Sequence, residues 1–82
     1  MIFLLEYQRS KGKLLTFKTF LDSELARAEQ ARLDLELELN EKGIDREVVI
    51  LEAASLTALR RTHRRYFETL DEIARASRRD AN

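Results

Sequence analysis

The sequence contains no cysteine, no proline and no tryptophan, and only two glycines and one histidine. Without cysteine, disulfides, thiolate-ligated zinc and iron–sulfur clusters are all excluded as supports for a small core. The same absence fits a reducing compartment, and the expected location is cytoplasmic. Two glycines leave no Gly-rich phosphate loop, and neither a nucleophile elbow nor a metalloprotease spacing occurs. A lone histidine, His63, cannot build a multi-histidine metal site within one subunit, so no metal and no cofactor is expected. The apolar start, residues 1–5, is ended by Glu6. It is too short for a membrane span and lacks the basic opening and cleavage site of a signal peptide, so no membrane role is expected.

What is present is an ordinary apolar fraction, 44%, with a high charged fraction, 37%, over 82 residues. That length allows one domain with a thin core. The formal net charge is zero, but the charges are segregated. Residues 1–21 hold four basic groups and one acid, residues 22–54 four basic groups and ten acids, and residues 55–82 seven arginines and four acids. An acidic middle between basic ends suits internal pairing, pairing across a dimer, or a polyanion-binding face.

Residues 2–7 and 14–21 are apolar runs rich in strand formers, separated by six residues that include Gly12 where a turn needs positive φ. They predict a β-hairpin. Asp22 or Ser23 is expected to cap a helix that runs to Lys42, with Gly43 accepting the left-handed turn after it. Residues 33–39 alternate as a strand would, but they lack β-branched residues and continue a helical segment, so helix is the expectation. In that helix Leu25, Ala28, Leu35 and Leu39 form one stripe, and Ala26, Leu33 and Leu37 another on the opposite side. Residues 47–52 read as a strand buried on both faces. Ser55 is expected to cap a last helix to about Ala76, with Leu56, Leu59, His63, Tyr66, Phe67, Leu70 and Ile73 on one face. Residues 77–82 read as a frayed polar tail. The predicted class is α+β, with order β-β-α-β-α and a small three-stranded sheet packed by two helices, as a single domain over residues 1–76. Three strands leave two sheet edges, some of which pairing across subunits would remove.

Three groups of residues bear on function. Arg60, Arg61, Arg64 and Arg65 share a face of the last helix, extended by Arg75, Arg78 and Arg79, and the hairpin adds Arg9, Lys11 and Lys13. Such a face contacts phosphates. Against this, Arg64 with Glu68 and Asp71 with Arg75 are neutralising i,i+4 pairs, and no aromatic residue interleaves for base stacking. Glu6 and Glu52 interrupt apolar strands and, with His63 nearby, would suit acid–base work if the strands brought them together. The bland alternative is a water-facing pair and a partly buried structural histidine. Third, the two-sided leucine pattern requires a second surface for the first helix to pack against.

The order β-β-α-β-α is shared by several small domains, the GIY-YIG nuclease core among them. This chain has no Gly-Ile-Tyr in its first strand and no Tyr-Ile-Gly in its second, so that activity is not carried over. The expectation is a small self-associating protein-interaction module without catalytic activity, a homodimer with Leu33 and Leu37 in the contact. A nucleic-acid or polyanion binder using the arginine face is the first alternative. An enzyme using His63 with Glu6 or Glu52 is the second.

Overall fold

The computed structural model describes residues 1–67. Its elements are β1 (Ile2–Gln8), β2 (Lys13–Phe20), α1 (Leu25–Glu41), β3 (Glu47–Glu52) and α2 (Leu56–Thr62), with 3₁₀ turns at Asp22–Glu24 and Arg64–Tyr66. The expected order and α+β class hold. Residues 33–39 are helical, as their continuity with the preceding good helix formers dictates.

β1 is the central strand of a sheet ordered β2-β1-β3, antiparallel to both neighbours. Its residues Ile2 to Tyr7 are all buried. The β1–β2 hairpin turns through Arg9–Gly12, where the Gly12 N–H donates to the Arg9 carbonyl at 3.3 Å and Gly12 takes φ 60°. The register slips between Glu6 and Tyr7, so Leu15 of β2 is an extra, bulged residue.

Side chains alternate across the sheet. Phe3, Leu5 and Tyr7 point to one face, where they pack with Leu59 and Tyr66 of the C-terminal segment and with Phe17, Val49 and Leu51. Ile2 and Leu4 point to the other face, which α1 covers with its one fully buried residue, Ala28. Each face therefore has its own helix.

Local signals account for most boundaries. After α1, Gly43 takes φ 66°, its N–H donates to Asn40 and that of Ile44 to Leu39, the paired bonds of a Schellman stop. Ser55 Oγ accepts from the Ala58 N–H at 3.1 Å and caps α2.

Two expectations need correction. Neither Asp22 nor Ser23 caps α1. Instead the Glu24 carboxylate accepts from the Leu21 N–H at 2.8 Å, and Asp22 pairs with the Met1 amine. The last helix also leaves helical geometry at His63 (φ −127°, ψ 49°). There Thr62 Oγ1 bonds back to Ala58 and Leu59, and the chain turns so that Tyr66 can be buried. The remainder of that expected helix, with Leu70, Ile73, Arg75, Arg78, Arg79 and the polar tail, lies outside the described residues.

Candidate functional site

The polar chemistry of the described residues collects at the hairpin end of the sheet, around two carboxylates on opposite faces. Glu47 lies opposite Tyr7 on the α2 side, and Glu6 lies opposite Val48 on the α1 side.

Glu47 is the hub. Its Oε1 accepts from Tyr66 Oη at 2.8 Å and from Arg65 Nη2 at 2.7 Å, and its Oε2 accepts from Arg9 Nε at 3.2 Å. Its side chain is only 11% exposed. Burial alone would raise its pKa, but the hydrogen bonds from Tyr66, Arg65 and Arg9 and the charge of Arg65 outweigh it and hold the carboxyl below its ordinary value. Burial and the neighbouring carboxylate push the Tyr66 phenol up. Burial disfavours the Arg65 charge, yet Glu47 more than compensates and raises its pKa. The Tyr66 ring meets the Tyr7 ring edge-on at 5.2 Å, and the Arg65 guanidinium stacks 4.4 Å above the Tyr66 ring. The network clamps the last described segment onto the sheet.

On the other face Glu6 is 8% exposed. It accepts from Thr16 Oγ1 at 2.6 Å and pairs with Arg46 Nε at 3.4 Å. That Nε is buried and makes no hydrogen bond among the described residues. Beside it, a cavity of about 430 Å³ opens between the end of α1 and β3, with Leu39, Ile44, Val48 and Arg46 in its wall.

These placements bear on each group of residues singled out in the sequence. Glu6 and Glu52 do not meet. Glu52 is exposed and opposite Ile2, four residues along from Glu6, or roughly 13 Å at the rise of a strand. Nor does either meet His63, which caps α2 with its ring 6.2 Å from that of Tyr66, on the sheet face that Glu6 turns away from. Glu6 faces the interior, where the sequence suggested water.

The arginine face is divided. Arg60, Arg61 and Arg64 line a cavity of about 390 Å³ with Thr57 and Phe67, and the Arg60 guanidinium lies 5.4 Å over the Phe67 ring. Arg65 is drawn away to Glu47, where it meets Arg9 of the hairpin. Lys11 and Lys13 are exposed. Leu33 and Leu37 are 47% and 53% exposed on the outer side of α1.

Sequence reasoning missed Glu47 as a hub. The available signal was an acid flanking an apolar strand and a tyrosine in an arginine-rich segment, but only the fold sets them 2.8 Å apart.

Among the described residues no group of three or more His, Asp or Glu side chains is placed to hold a metal ion, and no helix is long and apolar enough to cross a membrane. No known protein family, curated protein or solved structure matches the chain.

Proposed function

We propose that this chain is a small self-associating interaction module that acts by binding another protein, without catalysis. The observation that carries the protein-binding half of the reading is the outer stripe of α1. Leu33 and Leu37 are one turn apart and about half exposed, on the side opposite the buried Ala28. Burying a leucine contributes about 1.5–3 kcal/mol, so two exposed at helical spacing make a strong contact surface. Glu29, Asp34, Glu36 and Glu41 rim this stripe. Its best complement is an apolar surface with a basic rim; two α1 helices face to face would oppose acid to acid, so in this reading Leu33 and Leu37, expected from the sequence to form the homodimer contact, meet another protein instead.

Native mass spectrometry of the gently purified protein tests the reading. It should show a dimer, with or without a bound protein, and the Leu33→Gln, Leu37→Gln double variant should lose the bound protein while staying folded. A bare monomer at high micromolar concentration contradicts the proposal.

A second reading is favoured by the cavity at Arg60, Arg61, Arg64 and Phe67. In that reading the chain binds a phosphate-bearing polymer. Affinity for a single-stranded oligonucleotide should then fall steeply with salt through counterion release, and Arg60→Gln, Arg61→Gln should abolish it. Arg9 and Arg65, held by Glu47, contribute little there.

A further inference from the structure

We propose that two copies of this chain pair antiparallel along the free edges of β3 to form one continuous six-stranded sheet. The inference rests on the self-association proposed above and names its surface.

Among the described residues the edge is unguarded. β3 carries Val48, Val49, Ile50 and Leu51 in succession, all half-buried, and among the described residues it pairs only with β1. No lysine, proline or bulge blunts it, although edge strands ordinarily carry such devices. Central strands read as continuous apolar runs, and β3 has that composition while sitting at an edge.

The hydrogen-bond phase of β3 can be read from its existing ladder. Met1 and Ala53 exchange both backbone bonds, at 3.0 and 3.1 Å. Bonded and non-bonded pairs alternate along an antiparallel ladder. The backbone groups of Leu51, Val49 and Glu47 therefore point to β1, and those of Val48, Ile50 and Glu52 point outward from the free edge. A second β3 can bond to this edge only when outward residues oppose outward residues. That condition excludes the register that would set Glu47 against Glu52 of the second copy.

Among the allowed two-fold registers, one is centred on Val49. It sets Val48 opposite Ile50 of the second copy and keeps the whole strand paired. It also sets Arg46 opposite Glu52 of the second copy, on the same face of the sheet. Glu52 is exposed with no ion pair among the described residues, and Arg46, whose Nε pairs with the buried Glu6 at 3.4 Å, would meet it through the outer end of its guanidinium. Opposite charges in cross-strand positions stabilise pairing. Register centres one residue to either side either shorten the ladder or set Arg46 against Ile50. The arrangement is isologous and closed, so it ends at a dimer.

The test is an introduced cysteine, unambiguous because the chain has none. In this register Val49 meets Val49 as a non-bonded pair with Cα atoms about 4.5 Å apart, inside the roughly 4.4–6.8 Å span of disulfides. Val49→Cys should convert to a disulfide dimer under mild oxidation, as should a mixture of the Val48→Cys and Ile50→Cys proteins. Val48→Cys alone should remain monomeric on non-reducing gels, because its counterpart lies diagonally, about 8 Å away. A wild type that sediments as a dimer while Val49→Cys fails to cross-link overturns the β3 register and leaves self-association standing. A wild type that is monomeric at high micromolar concentration overturns both.

Discussion

The two edges of this sheet are built to opposite specifications. β2 presents Lys13, Lys18, Thr16 and Thr19 among its apolar residues, and a bulge at Leu15 twists it out of regular pairing. β3 presents four apolar residues in a row between Glu47 and Glu52. Both strands flank the same β1, buried from Ile2 to Tyr7, and neither has an outer neighbour among the described residues. The contrast teaches that edge protection is a local matter of sequence. Lysine and irregular backbone make open pairing costly on one side, and their absence leaves the other side ready for a partner.

Proline placement breaks the comparison most severely. Val49 spends its N–H on β1, so Val49→Pro removes a ladder bond in the fold itself and should destabilise by about 3 kcal/mol or more, read by chemical denaturation. Ile50 directs its N–H outward, so Ile50→Pro should leave a folded monomer that sediments at half the wild-type mass. Next comes the clamp at one end of β3. Glu47→Ala strands the Tyr66 hydroxyl and Arg65 and should cost about 2–3 kcal/mol of stability. The pH dependence has a definite sign. The folded Glu47 pKa lies below its unfolded value, so its contribution is complete above about pH 4.3 and is lost as pH falls through the folded value. An acid titration followed by circular dichroism should show it, and Glu47→Gln should flatten that limb.

A smaller effect sharpens the register. Glu52→Lys opposes Arg46 of the second copy twice per dimer and should weaken association about tenfold at low salt, with the monomer fold unchanged. The smallest belongs to the other edge. Thr19→Glu on exposed β2 should change neither the dimer constant nor stability by more than about 0.5 kcal/mol.

Much of this fold is legible in the sequence because its signals are local. The glycines mark a hairpin turn and a helix stop, Ser55 marks a cap, and residues 47–52 announce a strand. The expectation that this strand is buried on both faces fails in an instructive way. Composition reports what a strand is suited to, whereas the described fold gives the central position to β1 and leaves Val48 to Leu51 half-buried. The end of α2 is equally invisible. Nothing local stops the helix after Thr62, and the change of path at His63 serves Tyr66, whose partners Tyr7 and Glu47 are distant in the chain. The polar site is illegible for the same reason, since Arg9, Glu47 and Arg65 converge only through tertiary structure. Glu6 and Glu52, which looked like a possible pair, are separated by the register of the β1–β3 ladder.

The central claim is that β3 is completed by a second β3, and backbone amide hydrogen exchange read residue by residue tests it most directly. The inward amides of Val49 and Leu51 should be protected at every concentration. The outward amides of Val48 and Ile50 should become protected as protein concentration rises, in step with dimer formation; Val48 should lose that protection in an Ile50→Pro background, and both should need about tenfold more protein to gain it in a Glu52→Lys background. Fast exchange at Val48 and Ile50 in a sample that is fully dimeric by sedimentation would contradict the account and place the dimer contact elsewhere on the molecule.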